Sequence, residues 1–189
     1  MVNVLIVGVG GQGSLLASRI LGTLYLNEGL DVKVSEVHGM SQRGGSVVTY
    51  VRAGEKIASP IIPVGEADII IAFERLEALR WIHYLKKDGA IVYSTQEIAP
   101  MPVITGAAQY PSDIDEKIAK YPARHVAIDA DKLALEAGNV KAANVVLMGA
   151  AAKILGGDEK CWQDALLANV PAKFLELNKK AFELGKNAQ

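Results

Sequence analysis

Residues 3–21, NVLIVGVGGQGSLLASRIL, constrain the fold more than any other stretch of the chain. Val4, Leu5, Ile6 and Val7 are four apolar residues in a row. That is the pattern of a parallel strand covered on both faces. Gly8, Gly10 and Gly13 follow with G-x-G-x-x-G spacing, and Leu15, Ile20 and Leu24 then fall at helix-period positions. Strand, glycine turn and helix in this order aim the helix's unpaired N–H groups and positive dipole end at an anion. In such a unit Gly8 permits the tight turn, Gly10 a close backbone approach, and Gly13 close packing of helix on strand. Glycines in this place also make compact turns that bind nothing. The spacing therefore predicts an α/β sheet starting at residue 3 and leaves dinucleotide binding open.

The first helix should end at Asn27-Glu28-Gly29, with Gly29 as a left-handed cap. Asp31 to Val37 alternates as a strand, with Val32, Val34 and Val37 predicted to face inward. Glu36 lies 23 residues after Gly13, near where a dinucleotide fold places the carboxylate that holds a ribose hydroxyl. An acid at a strand end is the plainer alternative, and the next segment breaks the dinucleotide pattern. His38-Gly39-Met40-Ser41-Gln42-Arg43-Gly44-Gly45-Ser46 has three glycines in nine residues and no helical period. Val47–Arg52 and Lys56–Ala58 then flank Ala53-Gly54-Glu55, which predicts a strand, a tight turn and a short returning strand. A hairpin is thus expected where a second crossover helix would stand. The loop that carries Ser41, Gln42 and Arg43 follows a strand, at the edge where open α/β sheets bind ligands.

Asp68–Phe73 reads as a second fully buried strand, and Leu76, Leu79, Ile82 and Leu85 as a helix ending at residues 86–89. Glu74 and Glu77 complement that helix's N-terminal dipole. Ala90–Ser94 is the next strand, and Pro100–Ile104 a short strand or extended loop. A short helix runs from Ser112 to Tyr121. Arg124–Ile128 is a late strand, with His125 expected as a satisfied strand-end histidine. Three further helices occupy Asp129–Glu136, Asp158–Asn169 and Ala172–Lys186. Between the first two of these, the helix from Lys141 carries Gly149, Ala150, Ala151 and Ala152 in succession, which calls for close packing against the sheet or another subunit. Nothing repeats at a fixed period. The expectation is one domain over residues 1–189, an α/β, Rossmann-like three-layer sandwich. Its sheet should be mostly parallel, with a hairpin after the second strand.

Composition narrows the function. A net charge of −1 gives no basic footprint for nucleic acid and no electrostatic case for a membrane surface. No apolar run reaches bilayer length, and residues 1–20 read as strand and turn rather than signal peptide. The single cysteine, Cys161, makes no internal disulfide and cannot hold an iron–sulfur cluster alone. It suits a reducing cytoplasm and should be a half-buried helix residue. Any redox centre must sit on another chain. There is no nucleophile elbow, HExxH, cysteine pair or Walker A lysine, and His38, His83 and His125 lack metal-ligand spacing. The residues point to part of a binding cleft rather than a complete catalytic apparatus.

GVGGQG at the N-terminus, HGMSQRGGSV after the second strand, and SPIIPVGEADIIIAFERLEALR resemble the gamma-type domain of 2-oxoacid:ferredoxin oxidoreductases. The resemblance spans the whole chain, and S-Q-R-G-G is its most specific string. Within the family the chain looks most like the small (beta) subunit of the indolepyruvate enzymes; gamma chains of pyruvate or 2-oxoglutarate enzymes come next. The resemblance implies a cytoplasmic enzyme in which a 2-oxoacid, coenzyme A and oxidised ferredoxin give acyl-coenzyme A, carbon dioxide and reduced ferredoxin. It places thiamine diphosphate and the iron–sulfur clusters on a large partner subunit, through which ferredoxin is reached. This chain then binds no cofactor alone, carries no catalytic residue or metal ligand, and helps receive coenzyme A. Gly8, Gly10, Gly11, Gln12 and Gly13 match the first loop, and Ser41, Gln42, Arg43, Gly44 and Gly45 the second, as cofactor-binding or cleft-lining residues. Two other readings stay open. One is a stand-alone NAD(P)-binding oxidoreductase using Gly8–Gly13 and Glu36; the other is a scaffold subunit whose loops touch no ligand.

Overall fold

In a computed structural model, which describes residues 1–38 and 44–188, the opening apolar run becomes β1 (Val2–Val9), and Val4 to Val7 have no solvent exposure. Burial on both faces puts β1 inside the sheet. The six strands lie in the order β2 (Asp31–His38), β3 (Ser46–Gly54), β1, β4 (Ala67–Ala72), β5 (Leu85–Ser94), β6 (Arg124–Ile128). β1, β4, β5 and β6 are parallel, whereas β3 runs antiparallel to both β1 and β2. Val4 and Ile6 face a core built with α1 (Ser14–Asn27), α5 (Ala130–Ala137), α6 (Ala143–Leu155), α7 (Glu159–Asn169) and α8 (Leu175–Asn187). Leu5 and Val7 face the second core, closed by α2 (Arg75–Trp81) and α4 (Ile114–Ala119). The result is the expected three-layer α/β sandwich.

The chain leaves β1 through α1 on one face of the sheet and leaves β4 through α2 on the other. Connections that diverge from neighbouring parallel strands leave a crevice outside their C-terminal ends, where open α/β sheets bind ligands.

Four local expectations are corrected. β2 is an edge strand, so Val34 and Val37 are 45% and 51% exposed instead of turned inward; only Val32 packs on the core. Residues 56–58 form no returning strand, because the Ile57 N–H is taken by the Asp31 carboxylate at 2.8 Å, and the hairpin partner of β3 is β2. The helix after Glu74 stops at Trp81 and tightens to a 3₁₀ turn at Ile82–Tyr84. Leu85 keeps the helical spacing but is buried in the sheet as the first residue of β5. Pro100–Ile104 is neither strand nor extended: Met101–Ile104 is the short helix α3, with Met101 and Ile104 exposed.

The run Gly149–Ala152 is packed against this chain's own α8. A Cβ on Gly149 would overlap the Phe182 carbonyl, and a Cβ on Gly185 would overlap the Val146 carbonyl. Each helix therefore presses backbone into the other at a glycine. Gly185→Ala should destabilise the chain by about 3 kcal/mol, because rigid backbone and not a flexible side chain must move. Gly22→Ala in α1 meets open space and should be neutral or stabilising by up to about 1 kcal/mol. Urea unfolding of the two variants side by side checks both signs.

Candidate functional site

The site grows from the turn between β1 and α1. Gly13 caps α1 at φ 92°, a left-handed conformation that disfavours any residue with a Cβ. A Cβ there would also collide with the Asn144 side-chain amide. Gly13 has no side chain with which to cap α1, so the first N–H groups of the helix are left for a partner from outside it. Gly8 is still within β1, where a Cβ would lie 2.9 Å from Gln12 Oε1 and 3.0 Å from Phe73 Cβ. Its role is close approach and not the tight turn expected.

The Gly10 N–H donates to the Gly45 carbonyl at 2.8 Å, and the Gly44 N–H donates to the Gly10 carbonyl at 3.3 Å. The two glycine segments singled out in the sequence are thereby joined at one edge. Ser41, Gln42 and Arg43 lie outside the described residues, as do Gly39 and Met40.

Gln12 ties the turn to the rest of the sheet. Its Oε1 accepts the Val9 N–H at 2.7 Å, and its Nε2 donates to the Phe73 carbonyl at 2.9 Å and to Gln96 Oε1 at 2.7 Å. Gln96 Nε2 then donates to Asp131 Oδ2 at 2.7 Å, in the first turn of α5. Asn144, opening α6, donates to the Gly13 carbonyl at 3.3 Å. These groups, with Ser94 and Lys141, line a cavity of about 450 Å³. Burial and the neighbouring Asp129 hold the Asp131 carboxyl above the ordinary range.

On the α2 side, Gly44, Gly45 and Ser46 border a larger cleft of about 650 Å³ whose wall includes Ile98, Met101 and Ile104. Two carboxylates are buried at its base, Glu74 at 1% exposure and Glu77 at 4%. Such burial is tolerated because every carboxylate oxygen meets donors. Glu74 accepts the Glu77 N–H at 2.8 Å, the Ile98 N–H at 3.1 Å, and the Tyr110 hydroxyl. Glu77 accepts Trp81 Nε1 at 3.1 Å, Arg80 Nε at 3.0 Å, and the Ser46 hydroxyl. Burial and the Glu74 carboxylate push the Tyr110 phenol above its usual value. Glu74 does cap α2 as expected, but Glu77 reaches across to the strand that follows the second glycine segment.

Glu36 borders a small cavity with Gly10, Gly11 and Ser14, and one of its oxygens is already engaged. Its Oε2 accepts the Ser14 hydroxyl at 3.1 Å and the Thr49 hydroxyl at 3.2 Å, joining β2 to α1 and β3. With the antiparallel β3 in place of a second crossover helix, the NAD(P) reading loses its topology. His125 is not the satisfied histidine expected, since its Nε2 is buried without a hydrogen-bond partner among the described residues. Cys161 is half-buried on α7, as expected. The sequence reading missed Gln96, Asp131, Lys141 and Asn144. Gln96 stands two residues after the predicted strand Ala90–Ser94, and a polar residue just beyond a buried strand is the available signal.

The family model described as pyruvate ferredoxin/flavodoxin oxidoreductase matches residues 3–188. The chain belongs to the pyruvate ferredoxin/flavodoxin oxidoreductase family. It is 46% identical over 191 residues to the indolepyruvate oxidoreductase subunit IorB of Thermococcus kodakarensis, covering 98% of this chain and 95% of that protein. The fold is shared with the gamma subunit of a keto/oxoacid ferredoxin oxidoreductase from Geobacter sulfurreducens. That match has a TM-score of 0.75 at 22% identity and covers 100% of this chain and 98% of the other. A 2-oxoglutarate:ferredoxin oxidoreductase from Magnetococcus marinus, solved with 2-oxoglutarate, coenzyme A and succinyl-CoA bound, also matches. There the TM-score is 0.74 at 19% identity, over 99% of this chain and 30% of that one. The gamma-type resemblance therefore holds along the whole chain, and the NAD(P) alternative has no support among these relatives of the pyruvate ferredoxin/flavodoxin oxidoreductase family.

The buried acids make a direct prediction for this family member. Glu74→Gln replaces one acceptor oxygen with an NH₂ that must face an N–H or O–H donor. The loss should be about 2 kcal/mol, read as a lower urea midpoint with unchanged slope.

Proposed function

We propose that this chain is the small subunit of a cytoplasmic 2-oxoacid:ferredoxin oxidoreductase of the indolepyruvate type, and that its sheet crevice forms one wall of the coenzyme A cleft in the assembled enzyme. The observation that carries the reading is the pairing of Gly10 with Gly44 and Gly45, which sets the turn bordering one cavity beside the glycine segment bordering another. Identity of 46% to an indolepyruvate oxidoreductase subunit, along 98% of this chain, supports the substrate class. So does a domain of this fold within an enzyme solved with coenzyme A bound.

The residues of this chain do not fit the family's redox cofactors. An iron–sulfur cluster needs several thiolates, and the chain has one cysteine, half-buried on α7. Among the described residues no three His, Cys, Asp or Glu side chains come together as a metal site. In this reading a large partner subunit carries the clusters and thiamine diphosphate, and ferredoxin is reached through it. What this chain offers is the open N-terminus of α1, the Gly10–Gly13 turn and the Lys141 ammonium, all suited to the phosphates of coenzyme A. Ser41, Gln42 and Arg43, outside the described residues, are proposed to contribute to ligand contact in the assembled enzyme. Among the described residues no helix is long and apolar enough to cross a membrane.

Purified alone, the chain should contain no stoichiometric iron and should not turn over. Mixed with its large partner, it should restore 2-oxoacid- and coenzyme A-dependent reduction of ferredoxin or a viologen dye. Turnover by the isolated chain would overturn the assignment.

Arg43 separates this reading from a scaffold role. A guanidinium offers a planar fork of donors to a carboxylate or phosphate, which an ammonium cannot copy. Arg43→Ala should lower kcat/KM of the complex by about thirty- to several-hundredfold. Arg43→Lys should lower it nearly as far, and assembly on gel filtration should be unchanged. Full activity in Arg43→Ala would return the loop to the scaffold reading.

A further inference from the structure

The amide groups at the crevice can be oriented only one way. The Val9 N–H is a donor, so Gln12 must face it with Oε1. The Gln12 NH₂ is then left for two acceptors, the Phe73 carbonyl and Gln96 Oε1. Gln96 must in turn direct its own NH₂ to Asp131 Oδ2. Turning either amide over would set donor against donor or acceptor against acceptor. The line thus starts at a backbone N–H of β1 and ends on a carboxylate in α5. α5 does not need Asp131 as a cap, because the Asp129 side chain already accepts the Lys132 N–H at 3.0 Å. A second carboxylate beside Asp129 in a partly desolvated place is unfavourable in isolation.

We propose that Asp131 is a positioning residue: acting through Gln96 and Gln12, it holds the Gly10–Gly13 turn in the shape that receives the anionic part of coenzyme A. The inference rests on the coenzyme A cleft proposed above. Gly13 gives α1 no cap side chain, so beyond the turn's own Gln12 N–H to Val9 carbonyl bond its shape depends on contacts made from outside. Gln12 supplies the contact on the strand side, and Gln12 is itself held by Gln96. Among the described charged groups near Asp131, Asp129 lies on its own helix and Lys141 lines the same cavity. Lys180 of α8 is engaged with the Glu136 carbonyl.

The test uses this chain assembled with its large subunit, with kcat and the KM values for coenzyme A and the 2-oxoacid measured by viologen reduction. Asp131→Ala should raise KM for coenzyme A about tenfold, with KM for the 2-oxoacid within about twofold. Asp131→Asn should recover most of the loss, because its amide oxygen still accepts from Gln96. Gln96→Glu gives a signature that a purely structural role would not. At high pH it faces Asp131 as a second carboxylate, and the line is broken. At low pH one proton shared by the pair restores a donor toward Asp131 and an acceptor toward Gln12. The variant-to-parent ratio of KM for coenzyme A should therefore approach one near pH 5.5 and rise about tenfold toward pH 8. One protein compared with itself at two pH values removes misfolding as an explanation. Lys141→Ala, which leaves the amide line intact, should raise KM for coenzyme A whenever the cleft reading holds. If Lys141→Ala raises it while Asp131→Ala and the Gln96→Glu ratio stay flat, the positioning role is overturned and the cleft stands. If none of the three variants moves KM for coenzyme A, the cleft reading fails and this inference fails with it.

Discussion

Burial of Val4 to Val7 on both faces is the constraint from which the rest of the structure follows. Four large apolar side chains in a row have no face left for water, so β1 must have a strand on each side and a layer above and below. β3 and β4 supply the strands. α1 with the packed pair α6 and α8 supplies one layer, and α2 with α4 the other. Because β1 is central, the glycine turn that ends it opens at the middle of the sheet edge. A turn at a sheet margin would have solvent on one side and no converging groups.

The polar groups at that edge are stable for a shared reason. Each is matched by a partner of the opposite kind before any ligand arrives. Glu74 and Glu77 meet N–H and O–H donors; Gln12 and Gln96 pass hydrogen bonds in one direction; Glu36 accepts two hydroxyls. Without those partners two carboxylates this deeply buried would cost several kcal/mol each. The same matching ties up Glu74, Glu77, Gln12 and Gln96 as fixed parts of the wall. That favours a wall that shapes a cleft over a centre that performs chemistry.

What could be read from the sequence follows from range of interaction. β1 and β4 were legible because a continuous apolar run means two covered faces whatever the neighbours are. The glycines were legible because G-x-G-x-x-G between strand and helix is a local pattern. Val34 and Val37 were misread because alternation says which side a residue takes but not whether anything covers that side, and β2 turned out to be an edge. Leu85 kept helical spacing while belonging to a strand, since spacing alone does not register the 3₁₀ turn at Ile82–Tyr84. At the site, Gln12 stood out by being enclosed between glycines, whereas its partners did not. Gln96 is 84 residues away from Gln12, and Asp131 a further 35. No local pattern reports a contact made by the convergence of three sheet connections.

The antiparallel β3 converts a familiar nucleotide-binding beginning into a different kind of edge. With a crossover helix after β2, the chain would pass over one face of the sheet and return far from the first turn. Here it returns directly, with Ser46 opposite Val9 and Val48 opposite Val7. That register delivers Gly44 and Gly45 beside Gly10, and it moves β2 one strand outward from β1. Glu36 travels with β2 and bonds to Ser14 and Thr49 at the side of the turn, where it borders a small cavity with Gly10 and Gly11. A single change of strand direction thus removes the second crossover helix of a dinucleotide fold and brings in a second glycine segment. A dinucleotide needs the first of these, and a cleft shared with another subunit can use the second.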